Sequence, residues 1–498
     1  MFDGLEVGGR VLTVRGWERS GSRRRDCQLH GSRSRVVTRA EDYYRTRSLW
    51  LEGVPGSLAP RPPLPGDVNC DVVIVGAGFT GLWTAYYLKR HRPDARVIVL
   101  EREVAGYGPS GRNGGWVSSG IAGSAQVYAR RSGMDAVLRA TRETYHTVDE
   151  IGGVVVREGI ACGFVKAGAL TVATTEPQRQ RLLTGIRTAR RLGLDESDVR
   201  LLQPSEASEY VRGTGSLAAS YTPHCARINP AGLARGLADA CERFGVTIYE
   251  RTEALEVGPG RVRCLNGTVR ADYVVRATEA YTTQLRGQHR RFLPLYSFMI
   301  ATEPLPTAVW DQLGWRDGLL VADRRHLFFY AQRTLDNRIA IGGRGAPYEV
   351  GSPIAERSHD PQVGARLESA LRRHFPAAAD AVITHAWSGP LAVPRDWCMS
   401  VTFDRDRRFG WAGGYSGHGV VAANIAGRTL ADLALGTDSD LIRLPWVNHR
   451  SRLWEPEPLR FLASRAIVAI LASADRHEDR TGQPARRALL VAPFLAQP

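Results

Sequence analysis

The sequence predicts an α/β fold: a mainly parallel sheet with helices, joined to a second, more antiparallel region. Three observations predict it. Residues 71–88 read DVVIVGAGFTGLWTAYYL, an apolar strand-like run that enters a glycine-rich turn and leaves with a helical pattern. A second strand-like run, 96–100, follows that helix and ends in Glu101. Far downstream, 297–303, 326–332 and 338–342 look like strands of the second region, and 387–393 continues it.

Each glycine of the first turn has a physical task. Gly76 permits the tight turn, Gly78 lets a pyrophosphate approach the backbone, and Gly81 lets the helix pack on the strand. The helix N-terminus, with Ala77, Phe79 and Thr80 around it, faces the phosphates with unpaired N–H groups. Glu101, about 20 residues on, stands where an acidic side chain binds ribose hydroxyls. The combination predicts a Rossmann-like dinucleotide site. The alternative is a turn of the same shape kept for packing alone.

The chain has 498 residues, more than one core usually holds, so two intertwined domains are predicted. Hydrophobic content of 43% and charged content of 23% are those of an ordinary globular protein. The net charge of +15 raises the question of nucleic acid. The basic residues are nearly all arginine, with Lys89 and Lys166 as the lysines, and they are spread along the chain with an excess in the first fifty residues. Such a spread predicts no nucleic-acid partner. Cys27, Cys70, Cys162, Cys225, Cys241, Cys264 and Cys398 form no CxxC pair and no metal-like spacing with histidines, which predicts reduced thiols, no metal and a cytoplasmic location. No apolar run is as long as a membrane span.

Residues 1–66 are read as a largely disordered extension and a linker. The arginines at 23–25 lack the apolar stretch that export would need, and 59–67 (APRPPLPGD) is proline-rich. Beyond the second strand, 101–116 is a glycine-rich loop and 125–151 is mostly helix. A strand at 168–173 precedes a charged helix at 176–192. The helix 231–244, with Pro230 before it and a strand after it, predicts a return to the nucleotide region. Residues 262–265 and 268–274 alternate like a hairpin, 408–412 is a strand and 420–435 the last helix of that region. In the tail, 459–474 is predicted as an amphipathic helix with Arg460 and Arg465 on its polar side. Such a helix can lie on a membrane, but packing on its own domain or on a partner subunit is the favoured reading.

Two glycine-rich segments bear on the chemistry. NAD enzymes rarely carry a long glycine loop directly after the acidic strand, whereas a flavin needs backbone beneath its pyrophosphate and ring. The loop 106–115 contains Ser110, Gly111, Arg112, Asn113, Gly114 and Gly115. Arg112 is predicted to neutralise phosphate, with a surface salt bridge as its alternative, and Asn113 to bond the polar edge of the ring. The second segment, Gly413-Gly414-Tyr415-Ser416-Gly417-His418-Gly419, opens the helix at 420. The partial positive charge of that helix terminus would favour a reduced flavin.

The motifs together resemble the FAD-dependent D-amino-acid oxidase superfamily, which includes glycine and sarcosine oxidases, and within it the γ-glutamylputrescine oxidase-like branch. The matching segments are VGAGFTGL at 75–82, PSGRNGGW at 109–116, ARINPAGLARGLA at 226–238, ATEAYT at 277–282, DNRIAIGGRG at 336–345 and WAGGYSGHGV at 411–420. The resemblance implies a discontinuous FAD-binding domain (67–160, 226–290 and 391–440). An inserted α+β substrate domain (161–225 and 291–390) stands on a largely antiparallel sheet, and 441–498 forms a tail. It also implies that Arg102, Trp116, Ala254, Ala277 and Thr278 join the cofactor contacts. Tyr330, His418, Tyr221 and His224 are the residues expected to face substrate.

The sequence departs from this family in three ways. Residues 387–394 hold no arginine before Arg395, so the bidentate carboxylate clamp of the amino-acid oxidases is not expected, which favours an amine. The flavin-linking cysteine and oxygen-activating lysine of sarcosine oxidases have no counterparts here, which predicts noncovalent FAD and leaves oxygen or a quinone as acceptor. Arg276 and Glu279 are polar where the family is small or apolar, and sequence offers no account of them. The expected reaction is hydride transfer from a neutral amine, its α-carbon about 3–3.5 Å from flavin N5, followed by imine hydrolysis. The alternatives are a membrane-associated D-amino-acid dehydrogenase passing electrons to a quinone, and a flavin-binding protein without turnover.

Overall fold

The computed structural model describes residues 39–343, 348–351, 354 and 360–494. The arginine run at 23–25 and Cys27 lie outside these residues.

The first sheet runs in the order Ser400–Asp404, Phe409–Gly413, Gly267–Arg276, Val68–Val75, Val97–Leu100, Thr247–Tyr249. Its four central pairings are parallel, with Val75 opposite both Leu100 and Arg276. Val72, Val73, Ile74 and Val75 are buried, as a strand covered on both faces requires. The hairpin predicted at 262–274 forms from Arg261–Cys264 and Gly267–Arg276 and feeds the central strand. Helix Phe79–His91 is buried over nearly its whole surface, between Pro230–Arg243 and Gly419–Leu435. The last crossing is close: a Cβ at Gly427 would lie 2.5 Å from Trp83 Cβ.

The second sheet runs Ile383–Val393, Leu293–Thr302, Ile339–Gly343, Phe329–Arg333, Leu320–Asp323, Ala169–Ala173, Ala218–Thr222, Arg200–Leu202. It is antiparallel except where Leu320–Asp323 meets Ala169–Ala173. Trp310, Trp315 and Phe375, from the helices Thr307–Leu313 and Pro361–His374 and the turns after them, pack beneath it. The two sheets draw their strands from alternating blocks of the chain, giving the predicted α/β class: a discontinuous nucleotide-type sheet with an inserted, largely antiparallel one.

Three local expectations change. Residues 39–58, read as part of a disordered extension, carry helices Arg39–Arg45 and Leu49–Glu52, and Leu49, Trp50, Leu51 and Leu58 are buried. Trp50 Nε1 donates to the Asn113 carbonyl at 2.7 Å, so this segment supports the glycine loop. The long helix at 125–151 is two helices, Ala125–Ser132 and Met134–Arg157, broken at Gly133, whose φ of 82° a helix cannot hold. The tail helix spans Leu459–Thr481, and its polar face is turned inward: Arg460 is buried, bonding Glu457 and the His289 carbonyl, while Leu459 and Leu462 are exposed. Among the described residues, no helix is long and apolar enough to cross a membrane.

Candidate functional site

A cavity of about 470 Å³ runs from the end of strand Val68–Val75 to the second sheet. At its inner end the glycine turn behaves as its spacing predicts. Gly76 has φ +106°, and a Cβ there would lie 2.7 Å from the Ala277 carbonyl oxygen. A Cβ on Gly81 would meet the Gly76 oxygen at 2.0 Å, so helix and turn are in backbone contact. Gly78, Phe79 and Thr80 line the cavity at the helix start, where the N-cap residue Gly78 has no side chain to cap the terminus. The N–H of Phe79 goes to Ser110 Oγ at 2.9 Å, which ties the first loop to the second.

Glu101 lines the same end. Its two oxygens accept the N–H groups of Ala77 (2.8 Å) and Glu103 (3.0 Å), each keeping a second lone pair toward the cavity. Burial pushes its carboxyl up to about 7, against the pull of those two N–H groups. Arg102 lies over the Tyr281 ring, 5.0 Å from its centroid.

Arg112 is 7% exposed, lines the cavity, and pairs with no carboxylate among the described residues. Its partners are the Gly108 carbonyl at 3.5 Å, the Tyr281 hydroxyl at 3.3 Å and the Tyr107 ring at 4.9 Å. A buried cation without a counter-charge is costly, and a bound anion relieves that cost. The alternative of a surface salt bridge is therefore not its state. Asn113 differs from expectation: its amide donates to the Pro109 and Ser110 carbonyls and its oxygen accepts Gly115 N–H, so it fixes its own loop.

Of the remaining predicted cofactor residues, Ser110, Gly114, Trp116, Ala254, Ala277, Thr278, Tyr415, Ser416, Gly417, His418 and Gly419 line the cavity. Ala77, Gly81, Gly111, Gly115 and Gly414 do not, although each sits in a turn beside it. Gly111 is there for closeness, since a Cβ would lie 2.1 Å from the Gly106 oxygen. Helix Gly419–Leu435 directs its N-terminus into the cavity, with His418 at the N-cap and its ring against Gly120.

At the outer end the second sheet supplies Ser297, Ala322, Phe328 and Tyr330, facing Trp116 and Ser118. The Tyr330 ring is wedged between Gly114 and Gly342, where added Cβ atoms would lie 2.4 and 2.5 Å from it, and its hydroxyl bonds Ser297 Oγ. Tyr221 and His224 are not brought to the cavity. Tyr221 bonds the Ala167 carbonyl and packs on Tyr210; His224 stacks on Tyr145 at 3.9 Å and meets Asp198 at 3.2 Å. Burial lowers the His224 pKa, against the pull of Asp198.

The structure accounts for the two residues that sequence left unexplained. Glu279 lines the cavity at φ 41°, and its carboxylate gathers three backbone N–H groups from two distant segments: Ala392 at 2.9 Å, Gly414 at 3.1 Å and Tyr415 at 3.2 Å. Burial drives its pKa to about 7 in spite of those bonds. Arg276 is buried over the Trp411 ring, where desolvation and neighbouring Arg291 lower its pKa to about 10. Neither arrangement had a local signal, because the three amides bonded by Glu279 and the Trp411 ring under Arg276 all lie more than a hundred residues away.

A nucleotide cofactor fits this cavity on its own observations. A glycine cradle admits no Cβ, a helix start with a glycine N-cap and a buried guanidinium without a carboxylate partner suit phosphate, and a buried carboxyl suits hydroxyls. The family described as FAD dependent oxidoreductase matches residues 71–433. The chain is 31% identical over 399 residues to gamma-glutamylputrescine oxidoreductase of Escherichia coli (strain K12), covering 76% of this chain and 86% of that one. It is 28% identical over 396 residues to a probable oxidoreductase, OrdL, of Haemophilus influenzae, with the same coverage. Glycine oxidase from Geobacillus kaustophilus shares the fold with TM-score 0.64 at 21% identity, over 77% of this chain and all of that one.

Proposed function

The chain belongs to the FAD dependent oxidoreductase family, and on that footing we propose that it oxidises a C–N bond of an amine, with a γ-glutamylputrescine-like amine favoured over a simple amino acid. Its cofactor is FAD, held without a covalent link; among the described residues no cysteine lines the cavity, and the six described thiols are buried and free. We place its work in the cytoplasm on the strength of those thiols.

The observation that carries the substrate reading is the character of the outer end of the cavity. Trp116, Ser118, Ser297, Phe328 and Tyr330 form a neutral, largely aromatic wall, and no described lining residue there is a cation. Arg395, the first arginine after 387–394, pairs with Glu455 at 2.9 Å and lies outside the lining. A carboxylate next to the reacting carbon would find no guanidinium partner there, whereas a neutral amine on an alkyl chain suits such a wall. The relative of E. coli, by its name, acts on gamma-glutamylputrescine.

Bound FAD supplies the two-electron acceptor for the carbon-bound hydrogen. The chain's own residues do the rest. The turn at 76–81, Ser110 and Arg112 would hold the phosphates, and Glu101 the ribose. The N-terminus of Gly419–Leu435 points positive potential into the cavity and would favour a reduced, negatively charged flavin there. Tyr330, fixed by two glycines and Ser297, orients the substrate chain and excludes water.

The test is an anaerobic panel of amines and amino acids scored by bleaching of the yellow protein, then reoxidation with oxygen or a quinone analogue. Bleaching by γ-glutamylputrescine or a related amine supports the reading. Bleaching by D- or L-amino acids alone, or by nothing in the panel, overturns it. Rapid reoxidation by air makes oxygen the acceptor.

A further inference from the structure

The C-terminal helix Leu459–Thr481 lies beyond the family match and supplies no residue to the cavity lining. It nevertheless grips the segment that does. Strands Leu320–Asp323 and Phe329–Arg333 are joined by a tip at 324–328, and Phe328 at its end lines the cavity with Tyr330 two residues on. Asp475 captures two successive backbone N–H groups of that tip, His326 on Oδ1 and Leu327 on Oδ2, both at 2.9 Å. One turn on, Glu478 takes Arg181 in a two-pronged bond at 3.1 and 2.8 Å and faces His326 Nε2 at 3.2 Å. Asp479 pairs with Arg325 at 2.9 Å. Beneath these bonds Leu327, Leu471 and Val491 form a buried apolar cluster.

The geometry fixes where the tip leaves its aromatic residues. Leu327 is held from below by the cluster and at its N–H by Asp475, so Phe328 emerges toward the cavity. Its ring lies 6.4 Å from Tyr330. Asp323 Oδ1 takes the N–H of Phe329, the first residue of the following strand, at 3.0 Å. A tight strand-to-strand tip normally leaves its amides to water and moves readily. Here a carboxylate from a helix more than 140 residues downstream holds two of them, and Asp323 holds the first amide of the strand beyond.

We propose that Asp475 and Glu478 are positioning residues for the substrate-facing wall: the C-terminal helix clamps the 324–328 tip so that Phe328 and Tyr330 close the cavity. The proposal rests on the reading of that wall as the substrate side. It gives the tail helix a role in the site, with its acidic face engaged by the protein itself.

The test compares the flavin-loaded full chain with Asp475→Asn and Glu478→Gln. Asparagine keeps the shape but turns one acceptor into a donor facing an N–H. Hydrogen exchange at 326–328 is expected to rise about tenfold. Iodide quenching of the bound flavin's fluorescence is expected to rise with it. KM for γ-glutamylputrescine is expected to rise several-fold more than kcat falls, with flavin content unchanged. Unchanged quenching together with unchanged KM overturns the proposal even if exchange rises, because the clamp is then only structural. If no amine bleaches the wild-type flavin, the quenching comparison decides alone, so failure of the amine reading is separable from failure of the clamp. If Asp475→Asn does not fold, Glu478→Gln carries the same two outcomes.

Discussion

Glu279→Gln isolates the buried carboxyl that ties residue 279 to the turn at 413–418. Burial raises the Glu279 pKa from 4.5 to about 7, so the native protein keeps a proton over a window in which the unfolded chain has lost it. The sign follows from that. The stability is fully present below pH 4.5, falls as pH rises to about 7, and is flat above. At about 1.4 kcal/mol per pH unit, charging this group costs the fold about 3 kcal/mol by pH 8. Glutamine cannot charge. Its oxygen keeps the Gly414 and Tyr415 N–H groups, but its amide then opposes the Ala392 N–H, a pH-independent penalty of about 1–3 kcal/mol. Urea unfolding of both proteins from pH 5 to 8.5, flavin-free and FAD-saturated, reads the difference. Glu101 and Asp323, also raised to about 7 by burial, titrate in both proteins and cancel. The variant is expected to be the less stable at pH 5 and to match or exceed wild type at pH 8. Parallel stability curves would refute the reasoning, because Glu279 would then be charged throughout.

Arg112→Ala removes the buried cation that lacks a carboxylate partner, and FAD affinity measured by fluorescence titration is expected to weaken about 10- to 100-fold. Arg112→Lys is expected to fall between, since lysine keeps the charge and loses the fork; wild-type affinity in Arg112→Ala would count against the phosphate role. Gly81→Ala places a methyl 2.0 Å from the Gly76 oxygen, and a loss of about 3 kcal/mol or more with little bound flavin should appear in melting and absorbance. Tyr330→Phe removes the hydroxyl bonded to Ser297; flavin content is expected to hold while KM for the bleaching amine rises up to about tenfold. An unchanged KM there would remove Tyr330 from the substrate wall.

The legible part of the site was the part whose demand is local. Gly81 announces itself because a Cβ there collides with the Gly76 oxygen five residues back, and Gly76 because its φ of +106° favours glycine. The same is true of Gly111, whose Cβ would strike the Gly106 oxygen, whereas at Gly414 the crowding comes from distant Pro394 and Phe292. Tyr330 was legible as an aromatic on a strand of the second region. Tyr221 and His224 carried the same kind of signal, yet Tyr221 lies on Ala218–Thr222, two strands beyond the pair that carries Ala322 and Tyr330. Sequence gives the type of a strand residue but not its place in the sheet order. Asn113 was read outward because its amide suits a ring edge, whereas its own loop takes both ends.

By itself the sequence determined the α/β class, the glycine cradle and the FAD family, since each depends on contacts within one short segment or on motif order. Only the tertiary structure decided that Trp50 supports the glycine loop, that Glu279 gathers backbone amides from two strands' ends, and that the tail turns its acidic face inward onto the 324–328 tip. These contacts join residues from 63 to 149 positions apart. A polar side chain in such a place looks from its neighbours alone like a solvated one. What satisfies it is an amide or carbonyl brought there by folding, and no pattern in the nearby sequence records that arrival.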